Sequence, residues 1–390
     1  MDWLLDPDVV FLNHGSFGAC PRVVHDEYQR IQRHLETQPV RFLQREVPDL
    51  LSDARHRLAE FIGATDDDVV FVPNPTYAVN EIARSLQLGP GDEVLTSNHE
   101  YGACFNAWTF MAAKSGFEFV TADLPPTIES DDDFTSTIWN GVTQRTKVLF
   151  LSHITSATAL TFPIAEVCRR ATERGIITVI DGAHVAGQMP LDVSDIGADF
   201  YVGACHKWMC APKGASFLYA RREIQHLIEP LVVGWGWGDD RQFDSGSDFL
   251  DFHEWLGTND PSAYLAVPTA IRFQRDNDWP SVQARCHELA EAFVAEAASL
   301  HGIRRVHSED RFVQMALLEL TDSPRSRSEA AALQRDIYET ACVEVPVISW
   351  IDAERRPRTF VRVSVQAYNN EHDLEALISA LAAHGSTTVA

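Results

Sequence analysis

The chain has 390 residues, 45% hydrophobic and 23% charged, more than one compact core usually holds, so one large and one smaller domain are expected. Its formal net charge of -24 repels phosphate backbones and anionic lipid, which argues against nucleic acid and membrane surfaces as partners. Seven scattered cysteines without a CxxC pair or Cys/His ligand spacing argue against a metal centre and fit reduced thiols. The start, MDWLLDPDVVFLN, carries acids where a signal peptide needs bases, and no run approaches the roughly 20 apolar residues of a membrane span. A cytoplasmic protein is expected.

Along the chain, short β-branched runs (Val69 to Val72, Glu93 to Thr96, Lys147 to Leu151, Ile176 to Ile180, Asp199 to Val202) alternate with stretches of helical apolar spacing. Alternation of this kind predicts βαβ units. Near-continuous apolar runs such as VLFL and IITVI predict a parallel sheet buried on both faces, hence an α/β fold. From about Leu256 the pattern changes to longer helices, including Val282 through Leu300, and then to strand-like VPVISW and FVRVSV, which predicts a smaller α+β unit. The intervening LVVGWGWGDDRQFDSGSDFLDFHEWLGTND reads as a shaped loop; its GWGWG lacks the periodic helix that a nucleotide fingerprint requires.

In open parallel sheets ligands sit beyond the carboxyl ends of the strands. Those positions are polar here: PNPTYAVN, SNHEYGAC, SHITSATAL, DGAH and GACHKW follow the five runs in turn. Asp181 directly follows a buried run and needs a cation or strong donor as partner. A protonated pyridine nitrogen is one such partner; a helix N-cap before GAHVAG is the plainer alternative. Lys207 lies one βα step later, where desolvation lowers an amine's pKa and suits Schiff-base formation. Pro75 and Thr76 open an amphipathic helix whose N-terminus can hold a phosphate, with Thr76 also a candidate N-cap.

With LNHGSFGACP, NPTYAVN, HEYGAC, SHITSATAL, DGAH, HKW, GWGWG, GTND and EVPVISW in this order, the chain resembles the class V aminotransferase family of fold-type I enzymes that use pyridoxal 5'-phosphate (PLP). Its nearest likeness is to the isopenicillin N epimerase-like branch. The resemblance implies a large PLP-binding domain over residues 21–255, a small C-terminal domain over 256–390 and an N-terminal arm over 1–20 that reaches the active site. It implies that Lys207 carries PLP as a Schiff base, Asp181 pairs with the ring nitrogen and His184 lies beside the ring. His206, Pro75, Thr76 and Ser156 would hold the cofactor, with Thr258 reaching from the second subunit of a homodimer with shared sites. Tyr101 would stack on the open face and act as an acid, with His99 its rival, and His184 would be a further catalytic residue beside Lys207 and Tyr101. Arg362 would bind the substrate α-carboxylate, with a solvated edge-strand arginine as the alternative, and Asn13 and Arg41 would help close the site.

The expected activity is labilisation of an amino acid's Cα proton, most readily as an epimerase or racemase. A C–S lyase acting on a cysteine conjugate or sulfoxide is the second reading, ahead of an aminotransferase or a non-catalytic binding protein. Cysteine desulfurases of this family place a catalytic cysteine before the carboxylate arginine, and the stretch between Cys342 and Arg362 has none. Cys342 itself, before VEVPV, is expected to be buried.

Overall fold

A computed structural model describes residues 1–322, 324–352 and 356–385. The strands are β1 (Val10–Phe11), β2 (Val69–Val72), β3 (Glu93–Ser97), β4 (Glu118–Ala122), β5 (Thr146–Ser152), β6 (Ile177–Asp181), β7 (Phe200–Ala204), β8 (Ser216–Ala220), β9 (Ile303–Arg305), β10 (Met315–Leu320), β11 (Val343–Glu344), β12 (Val347–Ile351) and β13 (Pro357–Ser364). Seven of them form one sheet in the order β2-β8-β7-β6-β5-β3-β4, parallel except for β8, which is antiparallel to both neighbours.

The apolar runs are continuous because alternate residues serve two different cores. Val148 and Phe150 of β5 pack with the helices Pro75–Ser85 and Gly102–Ser115. Leu149 and Leu151, pointing the other way, join Phe134 and Ile164 from the helices Asp131–Gly141 and Ile164–Thr172. Every one of these strand residues is fully buried, and each such side chain contributes about 1.5–3 kcal/mol.

A second sheet, antiparallel in the order β12-β13-β10-β9, lies against the helices Trp279–Ala297 and Arg327–Ala341. The arm at the start of the chain joins this second sheet's side of the molecule. Its β1 pairs in parallel with β11, and Asn13 bridges to Ser364 at the end of β13. The helix Val267–Asp276, although it follows the GWGWG loop, packs on the helices Arg22–Thr37 and Val47–Ile62. Cys342 departs from expectation: it is exposed, because it terminates the helix Arg327–Ala341 in a left-handed conformation rather than facing the core.

Candidate active site

The carboxyl ends of β5, β6 and β7, the start of the helix Pro75–Ser85 and the arm enclose a cavity of about 500 Å³. Asp181 is the last residue of β6, and Lys207 lies three residues beyond the end of β7. No helix follows Asp181, so it is not an N-cap; its Oδ1 accepts from the Ala183 backbone N–H at 3.0 Å and its Oδ2 from the Cys104 thiol at 3.6 Å. Burial raises the Asp181 pKa, and the nearby Lys207 charge opposes that rise. A buried carboxylate held by one amide and one weak thiol has unused acceptor capacity, as a protonated ring nitrogen requires.

Desolvation lowers the Lys207 pKa to about 8, against the pull of Asp181. Its Nζ stands 3.0 Å from Nε2 of His184, and no carboxylate among the described residues forms an ion pair with it. His206 accompanies it on the cavity wall, with Nδ1 3.2 Å from the Ala215 carbonyl; burial, then Lys207, lowers its pKa to about 4. The arm secures this segment from outside. His14 donates from Nε2 to the Lys207 carbonyl at 3.0 Å while its Nδ1 accepts from the Tyr368 hydroxyl at 3.1 Å. Gly18 has φ +70°, and a Cβ there would stand 2.0 Å from the His206 carbonyl oxygen, so only glycine lets the arm approach.

Opposite, Asn74 rather than Thr76 caps the helix Pro75–Ser85, accepting from the Tyr77 N–H at 2.8 Å. Pro75 and Thr76 therefore occupy the first turn, where backbone N–H groups lack intrahelical acceptors, and both line the cavity. Tyr101, 44% exposed, stands on the cavity rim at the N-cap of the helix Gly102–Ser115. His99 is fully buried away from it, bonded to Thr158 Oγ1 at 2.7 Å and near the carbonyls of Leu124 and Pro125.

Arg362 lies on β13, between β12 and β10 rather than at an edge, and is only 4% exposed. Among the described residues its guanidinium meets only neutral oxygens: the Ser156 carbonyl, Ser16 Oγ at 3.0 Å and Asn13 Oδ1 at 3.4 Å. Its Nε has no partner among the described residues, and burial lowers the guanidinium pKa to about 10. Ser16 and Ser156 also line the cavity, so the unneutralised cation adjoins it. Asn13 is tied in turn to Glu344 at 3.1 Å. The structure does not bring Arg41 to this place: it is exposed and paired with Glu46 at 2.7 Å. Thr258 is exposed in the loop after the helix Asp248–His253 and does not line its own chain's cavity.

Several residues in the wall or bonded to it escape the sequence reading. Ser152 and Ser97 each donate at 2.6 Å to the Glu100 carboxyl, whose pKa desolvation raises to about 8. Phe17, Asn74 and Ile154 complete the lining. Asn74 had a local signal, an Asx residue directly before Pro. Glu100 had none, because its partners come from two different strands. No cluster of metal-ligating side chains occurs among the described residues.

The aminotransferase class-V family model matches residues 10–377. The chain belongs to that family. Isopenicillin N epimerase of Amycolatopsis lactamdurans is 34% identical over 388 residues, covering 97% of this chain and 95% of that one. The probable L-cysteine desulfhydrase, chloroplastic, of Arabidopsis thaliana is 28% identical over 402 residues, covering 96% and 83%. Among solved structures, the cystine C–S lyase C-DES in complex with cysteine persulfide matches with a TM-score of 0.82, covering 96% of this chain and 98% of that one at 21% identity. This class-V chain is a PLP-dependent enzyme of fold-type I. The cavity fits that cofactor: an underused buried carboxylate, an unpaired lysine and a helix N-terminus surround one space.

Proposed function

We propose that this enzyme labilises the Cα proton of an amino-acid substrate and returns it, as an epimerase or racemase. The observation that carries this reading is Arg362, a buried guanidinium that among the described residues has no partner at Nε and no carboxylate beside it, adjoining the cavity that Lys207 lines. A buried cation of this kind calls for an anion, and a substrate α-carboxylate is planar and bidentate.

In this reading Lys207 bears the cofactor, Asp181 meets its ring nitrogen, His184 lies beside the ring, and Thr76, Pro75, His206 and Ser156 hold the remainder. Bound PLP supplies an electron sink for the charge that develops at Cα. Arg362 and Asn13 fix the substrate's carboxylate, and Lys207 takes the Cα proton as general base on its side. Tyr101, on the rim, returns a proton from the other side. Residues 1–20 act as the arm, 21–255 as the large domain and 256–390 as the small one. The enzyme works in the cytoplasm as a homodimer in which Thr258 of a second copy completes the phosphate site. The exposed Val233, Trp235 and Trp237 in the same region support a covered surface there.

The cysteine desulfhydrase relative and the fold likeness to a cystine C–S lyase favour a second reading, in which Tyr101 protonates a departing sulfur. A panel of L-amino acids, small peptides and cysteine S-conjugates in deuterated water separates the two. Solvent deuterium at Cα with no breakdown supports the epimerase, and pyruvate release moves the assignment to the lyase. Neither outcome across the panel, with PLP-loaded protein, overturns both.

A further inference from the structure

His184 is fully enclosed, and both of its ring nitrogens are committed. The indole Nε1 of Trp208 stands 3.3 Å from Nδ1, and Lys207 Nζ stands 3.0 Å from Nε2. An indole nitrogen only donates, so Nδ1 must be the unprotonated acceptor. A neutral ring then carries its single proton on Nε2, toward the lysine. The ring is neutral chiefly because burial opposes a charge there, and then because the groups facing it, Lys207, Arg362, His206 and His14, are cationic or can become so. Trp208 is itself rigid, fully buried and packed against the His14 ring at a centroid distance of 4.9 Å. His184 is braced from behind by Gln188, whose amide donates to its carbonyl at 2.5 Å and whose Oε1 accepts from the Gln314 N–H at 3.0 Å.

We propose that Trp208 is a positioning residue: its indole N–H fixes the His184 proton on Nε2, so that His184 presents Lys207 with a donor and never an acceptor. An ammonium on Lys207 cannot use that donor, whereas a free amine can accept from it. The relay therefore favours the free-amine form that Lys207 needs to attack a carbonyl or accept a proton. It also removes His184 from among the bases that could take the Cα proton, leaving Lys207 for that part. Among the described residues Asp181 is the one carboxylate acting on Lys207; Arg362 opposes it, Cys104 also bears on it, and the titratable rings of His184, His206 and His14 lie around it. The inference rests on the reading of Lys207 as the reactive amine, but its test needs no turnover.

In cofactor-free protein, the pH dependence of Lys207 labelling by an amine-acylating reagent, followed by peptide mass spectrometry, reports the pKa of that amine. With phenylalanine at 208, Nδ1 loses its donor and the proton can move there, freeing Nε2 to accept from a charged lysine. Trp208→Phe is expected to raise the Lys207 pKa by about one unit, a tenfold loss of free amine at a given pH. Leucine at 184 offers neither donor nor acceptor, so adding Trp208→Phe to His184→Leu is expected to change nothing further. In the wild type, nitrogen-15 NMR should show His184 unprotonated at Nδ1 and protonated at Nε2. A wild-type ring protonated at Nδ1 overturns the inference, as does an unchanged Lys207 pKa in a folded Trp208→Phe protein. Should that variant fail to fold, the wild-type NMR result decides alone. Failure of the substrate panel with this tautomer intact would instead indict the functional reading.

Discussion

Lys207 and Arg362 are both cations withdrawn from water, and neither forms an ion pair with a carboxylate among the described residues. Two buried cations without a directly paired carboxylate, Lys207 only partly offset by Asp181, are costly in the free protein, a cost that cofactor and substrate reduce on binding. Lys207→Ala is expected to abolish the visible absorbance of PLP-loaded protein in its lysine-bound form and to lower turnover by about 10²–10⁴-fold, the usual contribution of a positioned base. Arg362→Leu should lower kcat/KM about 10–100-fold, matching the loss of a charge-assisted hydrogen bond, chiefly through KM. Steady-state kinetics on whichever substrate the panel yields checks both; an Arg362→Leu enzyme with unaltered KM would mean that the carboxylate binds elsewhere.

At the scale of elements, the arm is what joins the two sheets at the site. Gly18 abuts the His206 carbonyl, His14 holds the Lys207 carbonyl, and Asn13 and Ser16 contact Arg362. Gly18→Ala would force a methyl against backbone and strain a left-handed φ, so a loss of about 1–3 kcal/mol is expected, together with weaker PLP retention. Thermal melting and PLP titration check it; a variant as stable and as retentive as the wild type would show that the arm is not coupled to the lysine.

This level also shows how legible the sequence was. β5 and β6 announce themselves because both faces are buried, so their apolar runs are unbroken. β4 is harder to read: it is an edge strand with one buried residue in five. β8 is five residues inserted antiparallel between β2 and β7, a pairing that only tertiary structure decides. Asp181 and Lys207 stand out through their strand-end positions one βα unit apart, and Tyr101 through the polar run after β3. Glu100 is tied to Ser152, and Trp208 to His184, across distances in sequence that spacing does not reveal. Arg362 alternates with valines as a solvated strand arginine would; its burial follows from the central place of β13. Arg41 failed as a neighbour of the cavity because its exposed helical segment pairs it with Glu46.

For the whole molecule, burial of histidines sets the response to acid. Burial lowers the pKa of His14 to about 3, of His99, His153, His206 and His307 to about 4, and of His184 well below its usual value. Between about pH 6.5 and 4 the unfolded chain therefore binds protons at these six sites that the folded protein does not, and stability falls as pH falls. Glu100, Asp181 and Glu254 are shifted upward, so the folded state holds their protons more readily and they oppose the trend. Six histidines against three carboxyls leave a net loss, roughly 1.4 kcal/mol per pH unit for each uncompensated histidine. Melting temperature measured at descending pH should drop steadily below about pH 6.5; a flat or rising profile would mean that these histidines are charged in the folded state. Among the described residues no helix is long and apolar enough to cross a membrane.

The most direct test of the account is to load the protein with PLP, reduce it with borohydride and map the pyridoxyl group by peptide mass spectrometry. A single modified residue, Lys207, is expected, and no stable modification in Lys207→Ala. A pyridoxyl group on another lysine, or none in the wild type, would contradict the site on which every functional step here depends.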